Sequence, residues 1–231
     1  MRGVSKDGRG HWRLSLSFEA RRKRRRAPQD DRGVCGEVKP QIHLFSASCG
    51  FYNSTMPSPD IRPAAEADLP AVTDIYQHAV LHGTATFELI PPDLTEMTRR
   101  FTALIDGGYP YLVAALEGRV IGYAYAGPYR PRPAYRFTVE NSVYLQPEIH
   151  RRGIGLQLLQ RLIAESEARG YRQMIAVIGD SANAGSIGVH TKCGFQMIGT
   201  HPDVGFKFGR WLDTVMMQLA LGEGADTLPG D

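Results

Sequence analysis

Five consecutive residues, Arg151-Arg152-Gly153-Ile154-Gly155, have the types and order of an anion-binding turn. They follow the apolar stretch that ends at Leu145 and lead into a run of leucines with helical period. A helix starting near Gly153 leaves its first N–H groups without intrahelical partners, and its dipole favours a negative group there by about 0.3–1 kcal/mol. Glycines let phosphate oxygens reach that backbone with no Cβ in the way, and the two arginines add mobile positive charge at the rim. A pyrophosphate suits this chemistry. A dinucleotide fingerprint would need a third glycine where Leu158 stands, and a P-loop would need Gly-Lys-Ser/Thr. Neither is present. By itself a short Gly-x-Gly is also compatible with a plain strand-to-helix turn.

Two other constellations could do chemistry. Arg130 and Arg132 stand two apart in the proline-braced "YRPRPAY", and in an extended segment that spacing puts both guanidiniums on one side, as paired donors to a carboxylate. The alternative is two solvated loop arginines. His190 and Cys193 are three apart, on neighbouring turns if the segment is helical, which allows an acyl-enzyme route or a merely structural pair.

The elements that must carry these residues are legible from Ile61 onward. Leu69, Val72, Ile75, Tyr76, Ala79 and Val80 keep a 3.6-residue period behind Asp68, which predicts a first helix. "DLTEMTRRFTALIDGG" predicts a second, stopped by Gly107-Gly108. "YLVAAL" and "VIGYAYAG" flank a turn and read as a hairpin, and "YRFTVENSVYL" reads as a longer strand. Beyond the leucine helix, "MIAVI" is a buried strand, "NAGSIGVHTKC" a short helix and "LDTVMMQLAL" a last strand. A hairpin followed by alternating strands and helices predicts a single-domain α/β fold with a mixed central sheet flanked by helices.

Composition limits the rest. The 231 residues suffice for one sizeable core. Residues 1–55 hold 12 Lys/Arg against 5 Asp/Glu, including six basic residues at Arg21–Arg26, whereas the remainder nets −4. This basic stretch shows no periodicity and is expected to be a disordered extension. Met56, opening "MPSPDIRPAAEADLP", is the expected native start, with an over-extended reading frame upstream. The domain is placed at 56–223, with 224–231 as a flexible tail. The functional alternative makes the basic run a nucleic-acid or localisation patch, but it lacks interleaved aromatics and any zinc or helix-turn-helix spacing. No nucleic-acid partner and no metal are expected. Three cysteines without a CxxC pair suit a reducing cytoplasm, and no apolar run is long enough to span a membrane.

Four separated segments, in order, carry a resemblance. "HRRGIG" resembles the coenzyme A loop of the GNAT superfamily of N-acetyltransferases, with His150 where Gln or Arg is usual. "NAGSIGVHTKCGF" is similar to the superfamily's Asn-x-x-Ser segment, and "AYAGPYRPRPAYRFTVENSVY" and "GFKFGRWLD" resemble the phosphinothricin and methionine sulfoximine acetyltransferase subfamily. The resemblance spans Ile61 to Leu221. It implies acetyl-CoA as acetyl donor, a splayed strand beside the glycine turn, direct transfer to the α-amine of a small amino acid analogue, and a homodimer.

The resemblance also assigns residues. Val143, Tyr144 and Leu145 backbone, then Arg151, Arg152, Gly153, Ile154 and Gly155, would grip the cofactor, while Asn183 and Ser186 would face the pantetheine arm. Glu140 would be the base, the alternative being a strand carboxylate paired with an arginine such as Arg136. His190 would protonate the thiolate or line the site. Phe87, Arg130, Arg132, Tyr135 and Tyr144 would contact the acceptor, with the two arginines on its acidic groups. Other acceptors stay open: a protein N-terminus, a polyamine or an aminoglycoside. So does a regulator that only binds acetyl-CoA.

Overall fold

In the computed structural model the described residues are 58–229, so the basic extension 1–55, the proposed start at Met56 and the last two residues lie outside it. The chain runs β1 (Asp60–Pro63), α1 (Leu69–His82), α2 (Leu94–Asp106), β2 (Tyr111–Leu116), β3 (Arg119–Pro128), β4 (Thr138–Leu145), α3 (Ile154–Ala168), β5 (Gln173–Gly179), α4 (Ala184–Lys192), β6 (Gln196–Lys207) and β7 (Arg210–Ala220). The strands form one seven-stranded sheet in the order β1-β2-β3-β4-β5-β7-β6. Only β4 and β5 pair in parallel, and α3 is the helical crossover that a parallel connection between them requires.

Strand alternation sends neighbouring residues to opposite faces, and each face is covered by helices. On one face α1 and α2 pack Leu69, Val72, Tyr76 and Phe101 against Tyr111, Val113 and Tyr123. On the other, Leu158, Leu159 and Leu162 of α3 are fully buried against Leu112, Ala124, Val139 and Met174. The leucine run is therefore the core-facing stripe of a helix, as its period predicts.

Two readings of the sequence are corrected, while Asp68 stands as the N-cap of α1 where the sequence expects the helix to start. β6, twelve residues long, was not foreseen: Gly199, Pro202 and Gly205 interrupt it, its register with β7 shifts twice, and as an edge strand it has no second neighbour to impose an apolar pattern. The long strand expected from Tyr135 begins instead at Thr138, because Pro133–Tyr135 form a 3-10 turn. Asp68 does not cap α1 with its side chain. Its carboxylate accepts two bonds from Arg62 (2.7 and 2.8 Å) and one from the Ala65 N–H, and these hold it below the usual carboxylate range. At the C-terminus, part of the expected tail is held: Arg172 donates to Thr227 Oγ1 and to the Leu228 carbonyl.

Candidate active site

The parallel pair β4–β5 comes apart. Its register runs from Thr138↔Gln173 to Asn141↔Ala176 and stops there, while β4 continues to Leu145 on β3 and β5 continues to Gly179 on β7. Beyond Asn141 the backbone groups that face the gap have no strand to pair with. A slim cleft of about 50 Å³ opens at this point, lined by Asn141, Ser142, Val143, Tyr144, Ala176–Gly179, Asn183, Ser186 and His190, with Ala85 above it. A larger hollow of about 520 Å³ lies at the opposite end of these strands, beside Arg136, Phe137, Tyr171 and Arg172. Two of its arginines are already engaged, Arg172 by Glu223 and Arg169 by Glu165, so the split strands are the better candidate.

At the open end of β4 the glycine turn leads into α3. Arg151 (φ 65°) and Gly153 (φ 80°) both take the left-handed conformation, which folds the chain back sharply. Gly153 is the N-cap and supplies no side-chain cap; the first intrahelical bond runs from Gln157 N–H to the Gly153 carbonyl. The N–H groups ahead of Gln157 are therefore free for an anion. A Cβ on Gly153 would meet nothing within 4 Å, so space is open in front of that residue, whereas one on buried Gly155 would stand 3.4 Å from Leu145 Cδ1. Arg151 and Arg152 are exposed at its rim, as expected. These residues suit the diphosphate of a coenzyme A thioester.

On the α3 side of the sheet, Asn183 caps α4 by accepting from the Ser186 N–H at 3.1 Å, a contact of about 1 kcal/mol, and it also lines the cleft. One turn on, His190 is 5% exposed and edge-on to Phe195. Its Nδ1 lies 2.8 Å from the Ser186 carbonyl oxygen and its Nε2 lies 2.9 Å from Asn141 Oδ1. Burial pulls the imidazole below its usual range, and the Ser186 carbonyl opposes that shift. Cys193 packs at the edge of the core, and burial pushes its thiol up, away from the thiolate that an acyl-enzyme route needs.

Glu140 points to the other face. It is one residue before Asn141, so the parted strands separate a carboxylate on the α1/α2 side from an imidazole on the α3/α4 side. Burial raises the Glu140 carboxyl and the charge of Arg130 opposes the rise. Arg136, the partner weighed from sequence, instead lies over the Phe137 ring at 4.4 Å. The Tyr125 hydroxyl lies within electrostatic reach of Glu140, and on the same face Tyr76 is edge-on to Tyr144 at 5.1 Å. Tyr76 donates to Glu88 Oε1 (2.9 Å), which also takes a bond from Arg100 (2.7 Å), and burial pushes the Tyr76 hydroxyl up to about 12.

The loop from Tyr129 to Phe137 bends at Pro131, keeps extended backbone at Arg132 (φ −79°, ψ 138°) and then turns through Pro133–Tyr135. Arg130 sits over the Tyr129 ring at 4.9 Å and within electrostatic reach of Glu140. Arg132 precedes the 3-10 turn, and its carbonyl accepts from the Tyr135 N–H. Tyr135 is exposed and edge-on to Tyr129. Both arginines are exposed.

Comparison with known proteins agrees with this geometry. The model of the Acetyltransferase (GNAT) family matches residues 72–195, more than half of the chain and all of the parted strands, the glycine turn and α4. The chain belongs to this family. As a GNAT protein it is 53% identical to a phosphinothricin N-acetyltransferase of Alcaligenes faecalis over 73% of this chain and 86% of that one. It is 47% identical to an L-methionine sulfoximine/L-methionine sulfone acetyltransferase of Pseudomonas paraeruginosa, over 71% of this chain and 95% of the relative. A crystal structure of a phosphinothricin acetyltransferase from Sinorhizobium meliloti in complex with acetyl-CoA superposes with a TM-score of 0.74 at 49% identity, covering 76% of this chain and 95% of that one.

Sequence reasoning missed several residues of this GNAT site. Asn141 was passed over because a strand asparagine between Glu140 and Ser142 has no signature; only its partner across the fold gives it meaning. Gly179 and Gly205 were missed as well: a Cβ on either would collide with the α1–α2 loop, at Thr84 for Gly179 and at the Phe87 ring for Gly205. Lys207 is buried and donates to the Thr86 carbonyl at 2.8 Å, pinning the same loop. Phe87 itself, expected on the acceptor, stands 38% exposed on that loop.

Proposed function

We propose that this chain transfers the acetyl group of acetyl-CoA directly to the α-amine of a small amino acid analogue of the phosphinothricin, methionine sulfoximine or methionine sulfone type. The observation that carries the reading is the split between β4 and β5, with a carboxylate on one face and an imidazole on the other, in a chain about half identical to enzymes named for those substrates. When bound, acetyl-CoA supplies an activated acyl group. The free N–H groups at the start of α3, with Arg151 and Arg152, hold its diphosphate, and the edge of Val143–Leu145 that β5 leaves open, with Asn183 and Ser186, steers its arm. A backbone N–H near Val143 polarises the carbonyl. Glu140 takes the ammonium proton of the acceptor, directly or through a water, and His190 gives a proton to the departing sulfur. Arg130 and Arg132 meet the acceptor's carboxylate, while Phe87, Tyr135 and Tyr144 enclose its side chain.

A homodimer and a cytoplasmic setting belong to the same reading. Val204, Phe206, Phe208 and Trp211 of the β6–β7 hairpin, with Met197 and Ile198, are each more than half exposed, and β6 is an edge strand. Such a patch favours a second copy as cover. The unpaired cysteine pattern favours a reducing compartment, and among the described residues no helix is long and apolar enough to cross a membrane.

Thiol release from acetyl-CoA, followed with phosphinothricin, methionine sulfoximine and methionine sulfone beside their decarboxylated analogues and a polyamine, tests the acceptor. Turnover confined to the carboxylate-bearing amines is the expected result. Equal rates on carboxylate-free amines, or turnover only on a peptide N-terminus, would replace this acceptor class with another.

A further inference from the structure

Asn141 joins the two strands at the apex of the cleft in a way that determines what His190 can do. Its Nδ2 donates to the Ile175 carbonyl at 3.0 Å, and a carbonyl can only accept. The amide is therefore fixed with Oδ1 toward His190, and Oδ1 also only accepts. On its other side His190 presents Nδ1 to the Ser186 carbonyl oxygen at 2.8 Å, a second obligatory acceptor. The Ser186 hydroxyl, 3.4 Å away, is the one group nearby able to donate, and it is the more distant partner. Turning the amide over does not help, because it would bring Oδ1 against the Ile175 carbonyl.

Resting on the functional reading above, we propose that Asn141 is a positioning residue that makes His190 a proton donor. With both ring nitrogens facing acceptors, the arrangement suits the imidazolium, in which each nitrogen carries a hydrogen. Nε2 sits at Asn141, where β4 and β5 part and where the departing sulfur must arrive. In the step this permits, the Nε2–H bond breaks, an S–H bond forms, and the ring is left neutral with its remaining hydrogen on Nδ1, still bonded to the Ser186 carbonyl. A proton from solvent restores the imidazolium after release. Among the described residues the groups bonded or stacked to the ring are Asn141 from β4, Ser186 from its own helix and Phe195 beyond α4, none of them a carboxylate or a second cation. Burial therefore makes the cation a readier acid. The same environment makes His190 a poor base, which leaves proton removal to Glu140 on the opposite face.

Two measurements on the full chain test this. Nitrogen-15 spectra of the ring, assigned by loss of the signal in His190→Gln, should show hydrogen on Nε2 in the free protein, and Asn141→Asp should move the protonation midpoint of His190 upward by placing a carboxylate at the same point. Kinetically, Asn141→Leu should lower kcat by about tenfold or more while KM for acetyl-CoA stays within about twofold, and Asn141→Asp should keep more of kcat than the leucine variant. A wild-type ring with hydrogen only on Nδ1, an unmoved midpoint in Asn141→Asp, or wild-type kcat in Asn141→Leu would overturn the assignment. The spectra need no acceptor, so a correct ring state in a protein that leaves amino acid analogues untouched would sink the acceptor reading and leave the role of Asn141 supported.

Discussion

The ring of Phe87 fills the space that a side chain on Gly205 would occupy. Phe87 belongs to the loop between α1 and α2, and Gly205 to the edge strand β6, more than a hundred residues later. Gly179, at the end of β5, makes the same allowance for Thr84, and Lys207 anchors the loop through the Thr86 carbonyl. The position of the α1–α2 loop therefore depends on what two glycines lack. Gly205→Ala should push Phe87 out of its seat and raise KM for the acceptor about tenfold, with KM for acetyl-CoA unchanged. Steady-state kinetics with each substrate varied in turn checks this, and an unchanged acceptor KM would show that Phe87 takes no part in binding.

Glu140 and Arg130 give a pH prediction whose sign is fixed. Burial raises the carboxyl and Arg130 opposes it, so removing the guanidinium lets the carboxyl rise further. A base must be ionised to act. The acidic limb of kcat/KM should therefore lie above the ordinary carboxylate range in the wild type and move to still higher pH in Arg130→Ala. Glu140→Gln should lower kcat at least tenfold while leaving acetyl-CoA affinity, measured by calorimetry, unchanged. An acidic limb that does not move in Arg130→Ala, or a fully active Glu140→Gln, would remove the carboxylate from the mechanism.

Local signals explain which parts of this site could be read beforehand. The Arg-Arg-Gly-Ile-Gly turn was legible because helix periodicity starts immediately after it and glycine there has a stated physical use. Glu140 and His190 were placed through resemblance, and their opposition across the sheet became visible only when the β4–β5 register was known to stop at Asn141. Arg130 and Arg132 were singled out by their spacing, but the 3-10 turn that Pro133 opens directly behind them was not legible, because proline suits a turn and an extended segment alike. β6 was illegible for a different reason. An edge strand broken by two register shifts, with much of its surface outside the core, carries no period to find.

The turn itself yields a direct test. Gly155 is buried in the first turn of α3, with Leu145 Cδ1 at 3.4 Å from where its Cβ would be, which is ordinary contact distance. Gly155→Val adds two methyls beyond that Cβ in the buried space beside Leu145, which should displace the first turn of α3 and with it the free N–H groups ahead of Gln157. Calorimetric titration should show acetyl-CoA affinity lowered more than tenfold, with the cooperative unfolding transition retained. Gly153 is the less clean site, because its φ of 80° strains any β-branched residue whatever the space. Unchanged affinity in Gly155→Val would mean that the diphosphate binds elsewhere.

The apolar face of the β6–β7 hairpin sets the last prediction. Phe206 and Trp211 pack edge to face at 5.3 Å, yet each remains more than half exposed, and Val204 and Phe208 extend the same face. β6 is an edge strand, so its outer backbone groups are also unpaired. Water is a poor cover for the rings, whereas a second copy would bury them and could pair with the edge. A dimer held this way should be weakened by charge at its centre, since a lysine ammonium buried there loses its hydration and meets its own symmetry mate. Analytical ultracentrifugation should find the wild type dimeric at micromolar concentration and Trp211→Lys shifted toward monomer, with the sheet content by circular dichroism retained. A wild type that sediments as a monomer, or a Trp211→Lys dimer as tight as wild type, would place the contact on another surface.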